Sequence, residues 1–357
     1  MKDDLKIGVE TGPSIMVKKK FTVIPKWLIQ KILLHTKNSN VIQQLVEKTY
    51  LDFYKGDISS PGSYFLTFPD KPKSRIIALP AASYQHPRQA GIKWIASNPD
   101  NPKQGLARAS AVIILNDYET GYPFACLEGS LISAIRTAYS ASVALHHIHK
   151  LIKKSESKQI SSLGIVGTSI IGHSVLTAIQ NQGWEIKQVN LFDIEVRNAF
   201  RFKDNLSQYN NICVSNHIEE LIKESEIIIF TTSSTTPHLH EINLFNHKPI
   251  ILHISLRDLS PEIILACNNI VDSIDHILSA NTSVHLAAQK NQSHSFINGD
   301  INTLINGVLK LDQNKATVFS PMGLGVLDLA LASYVYTEAI KIEGYIEINN
   351  FFDECLS

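Results

Sequence analysis

The stretch from Leu163 to Asp193 constrains this chain most. A short apolar run at 163–166 leads into Gly167-Thr168-Ser169-Ile170-Ile171-Gly172, and a helical pattern then ends near Gly183. A second apolar run at 189–192 closes on Asp193. Strand, glycine turn, helix and strand form the unit from which parallel sheets are wound. The rhythm continues through a helical stretch at 195–206 and short apolar runs at 212–214, 227–231, 250–254 and 270–271. Alternation of this kind predicts an α/β fold: a doubly wound parallel sheet with helices on both faces.

The glycine turn carries chemistry. Backbone N–H groups at a helix start, with the positive end of its dipole, hold a dinucleotide pyrophosphate. The usual spacing is G-x-G-x-x-G, and here Ser169 takes the middle place. A side chain there crowds a pyrophosphate unless its hydroxyl donates a hydrogen bond. Asp193 follows about twenty residues past the turn, where a carboxylate bonds a ribose 2′-OH and repels a 2′-phosphate. NAD is therefore expected over NADP. An ordinary turn with a structural Asp is the alternative, and the sustained alternation favours the dinucleotide.

At roughly 150 residues per domain, the 357 residues imply two domains. Lys+Arg (33) balances Asp+Glu (33), which argues against a general nucleic-acid or membrane-surface binder and for a small molecule in a local pocket. Cys126, Cys213, Cys267 and Cys355 lie far apart. That spacing disfavours a zinc ribbon, a thioredoxin motif and a disulfide scaffold, and suits reduced thiols in the cytoplasm. Residues 1–20 are polar and lack the apolar core of a secretory signal. The apolar runs elsewhere are too short to cross a bilayer.

Upstream the character differs. Apolar residues at three- and four-residue spacing over 25–54 predict two amphipathic helices broken near 37–40. Short strands are expected at 63–68, 75–79, 92–95 and 110–116, with a hairpin turn at 117–121 and a return at 124–127. A helix should follow over 130–149, and the polar stretch 153–159 marks a domain boundary. Beyond Ser320 a Gly-rich turn precedes a helix at 326–342.

Several side chains stand out. Arg136, with Thr137 next to it, sits between apolar Ile135 and Ala138. A half-buried arginine needs an anion, although a solvated position or a pair with Glu128 is the plainer reading. Lys93 lies inside Gly91-Ile92-Lys93-Trp94-Ile95. It either lies on a solvated strand face or points into a cleft with a lowered pKa. Arg257-Asp258 follows an apolar strand, at the carboxyl end where such sheets bind ligands. Asp258 could serve as a base or position water, or it could cap a helix. Ser260 before Pro261 fits that cap better, which leaves Asp258 free. His146, His147 and His149 lack a third regularly spaced ligand, so no metal site is expected.

The motifs ASAVIILNDYETGYP, SLISAIRTAYSASVA and SPMGLGVLDLA, with RIIALPA and GIKWI upstream, resemble the ornithine cyclodeaminase/μ-crystallin family over about Ser74 to Tyr336. Within it the combination looks most like the dehydrogenases of N-((2S)-2-amino-2-carboxyethyl)-L-glutamate, which supply 2,3-diaminopropionate for siderophores or antibiotics. The resemblance implies a homodimer. It also implies a Rossmann NAD-binding domain (151–318) inserted in a discontinuous α+β substrate-binding and dimerisation domain (1–150 and 319–357). It implies that Arg75 grips a substrate carboxylate and that Lys93 and Asp258 are catalytic. Ser110 would stand near the nicotinamide, and Arg136-Thr137 would contact substrate or cofactor. Thr232, Ser233, Ser255, Met322 and Gly323 would complete the cofactor site, with Asp328 on the segment that returns to it. Ser169, Pro321-Met322 and Leu259-Ser260-Pro261 depart from the cyclodeaminase pattern, and the last lacks its Pro-Gly-Lys. This points away from ring-closing deamination of ornithine. Cyclodeaminase, a ketimine or alanine-type reductase and a non-catalytic NAD(P)H binder are the alternatives.

Overall fold

A computed structural model describes residues 20–85 and 88–352. Cys355 and nearly all of the polar terminus expected at 1–20 lie outside the described residues. Two eight-stranded sheets organise the rest, and helices pack between and around them.

In the parallel sheet, Leu163–Val166 lies between Val189–Phe192 and Ile227–Phe230. Ile212–Val214 flanks it on one side, and Ile250–His253, Thr317–Ser320, Asn268–Val271 and Ile297–Asp300 complete the other. The chain winds outward one way, then returns to the centre and winds the other way. The reversal between Leu163–Val166 and Ile227–Phe230 is the switch point at which such sheets open a crevice at their carboxyl ends. The central strands are short because each is buried on both faces; IIIF at 227–230 and IILH at 250–253 are buried throughout. Two strands were not expected. Ile297–Asp300 reads INGD, which looks like a turn, and Thr317–Ser320 is a four-residue run inserted between two strands that precede it in sequence. The latter carries the parallel sheet just past residue 318.

The other sheet is antiparallel except where Lys20–Ile24 runs parallel to Pro123–Glu128. Arg75–Ser83, Gln89–Ser97 and Ala109–Asn116 form its middle. They extend beyond the apolar runs because cross-strand pairing continues into polar residues. Strand alternation gives it two faces. On the inner face Leu79, Lys93 and Ile113 stand in one row, all buried. On the outer face Tyr64, Ala78, Trp94 and Val112 form the adjacent row, with Tyr64, Trp94 and Val112 exposed. Ile346–Asn349 adds an edge strand that is exposed throughout, so no apolar alternation announced it.

Two helices cover the inner face. Gly129–Lys153 starts on Glu128, whose carboxylate accepts from the Ser130 and Leu131 N–H groups. This helix also packs against Ile170–Asn181 of the parallel-sheet half, so it spans both halves. Gly325–Ala339 lies across Arg75–Ser83 and Gln89–Ser97. It ends before Ile342, short of the expected length. Together these helices bring Arg136 and Asp328 over Lys93. Among the described residues no helix is long and apolar enough to cross a membrane.

Candidate active site

The site begins with a buried ion array. Asp328 is fully buried near the start of an almost wholly apolar helix. Its Oδ2 accepts from Lys93 Nζ at 2.6 Å, and its Oδ1 accepts from Arg136 Nε at 3.2 Å. Lys93 also donates to Ser133 Oγ at 3.1 Å. Burial pulls the Lys93 pKa down to about 8, and Arg136 adds to that, against the opposing pull of Asp328. Burial alone would raise the Asp328 carboxyl, but Arg136 and Lys93 together hold it below the usual carboxylate range. Two cations around one anion leave a net positive charge. The remaining guanidinium nitrogens of Arg136 lie against Gly323. A Cβ there would sit 2.5 Å from Nη1, and φ is +91° at that residue, so only glycine fits.

Gly323 is itself held in place. Asp272, fully buried, accepts from the N–H groups of Met322 (2.9 Å) and Gly323 (2.6 Å). Burial raises the Asp272 carboxyl, and those two N–H groups pull against it. The Met322 and Gly323 amides, expected to face a cofactor, are thus spent on Asp272.

Asp258 anchors the second cluster. It is fully buried, and its side chain is free of the helix cap, as the sequence predicts, but bonded within this cluster. Thr232 Oγ1 donates to its Oδ1 at 2.5 Å, and Ser255 Oγ and His253 Nε2 (3.2 Å) meet Oδ2. Burial pushes its pKa up, but His253, Ser255 and Thr232 outweigh this and hold it below the usual value. Ser260 caps the helix Pro261–Ala266, as its position before Pro261 predicts. His253 continues inward to Ser320 Oγ at 3.4 Å. Thr232 and Ser255 therefore support the carboxylate directly, and Ser233 is exposed beside them.

The glycine turn suits a pyrophosphate. Gly167 has φ +86°, and a Cβ there would lie 2.9 Å from the Thr231 carbonyl. Ser169 is the N-cap of Ile170–Asn181, and its Oγ accepts from Gly172 N–H at 3.2 Å. The expected donor thus acts first as an acceptor, and its proton stays available. The Ile170 and Ile171 N–H groups stand in the first turn, where no helical carbonyl precedes them. Asp193 Oδ2 accepts from both the N–H and the hydroxyl of Thr168, each at 2.8 Å. Its carboxylate joins the second strand end to the glycine turn.

One expected residue is not brought to these clusters. Ser110 faces outward: it pairs with Ala96, whereas Lys93 pairs with Ile113, so alternation puts it on the opposite face. Thr137 spends its hydroxyl on the Ser133 carbonyl of its own helix, at 2.7 Å. Arg75 shares the inner face with Lys93, farther along the sheet, and its buried Nε has no hydrogen-bond partner. Sequence reasoning gave Asp328 no partner and missed Asp272, Ser133 and His253. An acid in the apolar first half of a helix, and a histidine ending an apolar strand, were the available signals. The helix histidines are ordinary: His147 meets Glu47 at 3.2 Å and His149 packs edge-to-face on Trp184. Among the described residues no three His, Cys, Asp or Glu side chains gather as for a metal, and Cys126, Cys213 and Cys267 are unbridged.

The model of the ornithine cyclodeaminase/mu-crystallin family matches residues 28–343. N-((2S)-2-amino-2-carboxyethyl)-L-glutamate dehydrogenase of Staphylococcus aureus is 30% identical over 275 residues, covering 74% of this chain and 79% of that protein. The fold is shared with Thermococcus litoralis Δ1-pyrroline-2-carboxylate reductase, solved with NADH and L-proline. The TM-score is 0.79 at 22% identity, over 90% of this chain and 98% of that one. An archaeal alanine dehydrogenase dimer with bound NAD gives a TM-score of 0.78 at 22% identity, over 92% and 99%.

Proposed function

Because this chain belongs to the ornithine cyclodeaminase/mu-crystallin family, we propose that it is an NAD-dependent dehydrogenase of a secondary amine joining two amino acids. The substrate is N-((2S)-2-amino-2-carboxyethyl)-L-glutamate. With NAD and one water it gives 2,3-diaminopropionate, 2-oxoglutarate, NADH and a proton. The diaminopropionate would then feed a siderophore or antibiotic.

The observation that carries this reading is the buried Lys93–Asp328–Arg136 array, whose net positive charge suits a substrate carboxylate. NAD, when bound, supplies the hydride acceptor. Gly167, Ser169, Ile170, Ile171 and Gly172 form its pyrophosphate cradle, and Asp193 its ribose contact, where Thr168 now bonds. Asp258 moves the proton and activates the water that cleaves the imine, exchanging one of its hydroxyl donors for substrate or water. Lys93, whose pKa burial brings down to about 8, exchanges protons at the amine. The residues up to about 150 and those beyond Ser320 form the substrate half, and those between form the cofactor half. The outer row of Tyr64, Trp94 and Val112 is the surface that a second copy covers in a homodimer.

NADH formation on adding this substrate tests the proposal. Consumption of ornithine with release of proline and ammonia, and no net NADH, would overturn it. Asp258→Asn should lower kcat by about a hundredfold or more with little change in KM. A kcat near wild type would remove Asp258 from the proton-transfer role.

A further inference from the structure

The loop after Ile227–Phe230 brings a second histidine back to Asp258. Thr232 Oγ1, which donates to Asp258 Oδ1, also accepts from Ser234 N–H at 3.1 Å and so bends the chain just past the strand. Pro237 then precedes His238 and Leu239, whose N–H groups both donate to the Asp258 carbonyl at 3.0 Å. Ser260 N–H donates in turn to the Leu239 carbonyl at 2.9 Å, and Leu239 pairs with Leu259 in a parallel bridge. Leu239 is buried, and His238, one residue before it, is exposed. This stitching holds His238 beside the carboxylate, with Nε2 at 3.9 Å from Asp258 Oδ1. Two histidines therefore flank one acid, and they differ in what lies behind them. His253 leads inward to Ser320, and both are buried. His238 leads to water.

The reaction proposed above releases a proton in each turnover and places proton transfer on Asp258, whose side chain is closed off from solvent. That proton needs a way out. The Thr232 and Ser255 hydroxyls cannot store it, and His253 carries it deeper. An imidazole takes up and gives back a proton between about pH 5 and about pH 8. A separation of 3.9 Å is a small side-chain movement, or one reorientation, away from hydrogen-bond length. We propose that His238 is the proton relay between Asp258 and bulk water. This rests on the function proposed above and extends it. The protonated carboxyl gives its proton from Oδ1 to the unprotonated Nε2 of His238, which restores the carboxylate. The imidazolium then releases the proton to water or buffer. Only O–H and N–H bonds form and break, and no oxidation or reduction accompanies the step. Among the described residues Asp258 is the acid that meets His238, and the neighbouring Arg257 bonds instead to the Asn281 carbonyl.

Chemical rescue tests the relay. NADH formation by the NAD-bound protein at saturating substrate is compared in the wild type, His238→Ala, His238→Gln and His240→Ala, the last an exposed histidine two positions on. Both His238 variants should lose about tenfold or more in kcat with little change in KM, and His240→Ala should lose nothing. Added imidazole should restore His238→Ala several-fold, rising with its concentration, and leave the wild type unchanged. A disturbed loop would not respond to imidazole. A wild-type kcat in His238→Ala, or a loss that imidazole does not relieve, would overturn the proposal. A second readout needs no turnover. In the substrate-free protein the ring NMR signals of His238 should move on Asp258→Asn, and unmoved signals would also overturn the relay. Moved signals in a protein that forms no NADH from the proposed substrate would uphold the Asp258–His238 link and reject the reaction.

Discussion

The cations of this molecule fall into two kinds, paired and unpaired. Lys93 and Arg136 share Asp328 in a dry setting where each charge has a partner. Arg75, Arg108 and Arg257 have no acid partner among the described residues. The paired group is complete in the folded chain, with its geometry set by two helices and a strand that pack regardless of ligand. The unpaired arginines come from both halves of the molecule: Arg75 Nε is buried without a partner, and Arg257 bonds only to the Asn281 carbonyl. A buried pair fixes geometry, whereas an unpaired cation adds repulsion.

The difference should be largest when the shared acid is removed. Asp328→Asn leaves two buried cations without a counter-charge, and a broken buried pair costs about 3–5 kcal/mol. Urea unfolding should show a loss of that order with an unchanged m-value, along with loss of activity. A loss under about 1 kcal/mol would mean that the array is hydrated and that the contrast with the arginine trio fails.

A smaller effect should follow pH. Burial brings Lys93 down to about 8. Between that value and the ordinary lysine range the unfolded chain holds a proton that the folded chain has released, so stability from this group rises with pH. From about pH 8 to about pH 10 the wild type should gain about 2 kcal/mol relative to Lys93→Met, which has no such proton. Parallel stability curves for the two proteins would show that Lys93 stays charged throughout.

Much of this fold could be read from the chain because parallel strands buried on both faces announce themselves as apolar runs. The 163–193 unit, the two N-terminal helices and the helix after residue 129 all follow from periodicity and capping. Ile297–Asp300 and Ile346–Asn349 did not, because a polar or exposed strand is made by its neighbours and not by its own pattern. The site divides in the same way. Local motifs exposed Gly167, Asp193 and Asp258, and apolar flanks pointed to Lys93 and Arg136. The partners escaped notice because they are distant: Asp328 meets Lys93 across 235 positions, and Asp272 meets Gly323 across 51. Ser110 shows the converse, since one step along a strand reverses the face whatever a motif suggests.

The smallest expected effect carries the opposite sign. Arg108 is exposed, lies within electrostatic reach of Arg75 and has no acid partner among the described residues, so its charge adds only repulsion. Arg108→Gln should therefore leave the urea midpoint unchanged or raise it, by about 0.5 kcal/mol at most, the scale of exposed charge pairs. Added salt should shrink even that gain, because like-charge repulsion near the surface is screened. Asp328→Asn in the same assay loses stability at every ionic strength, since screening does not reach a buried charge. If Arg108→Gln instead lost more than about 1 kcal/mol, the guanidinium would be serving the fold, and Arg108 would join the paired group as structural.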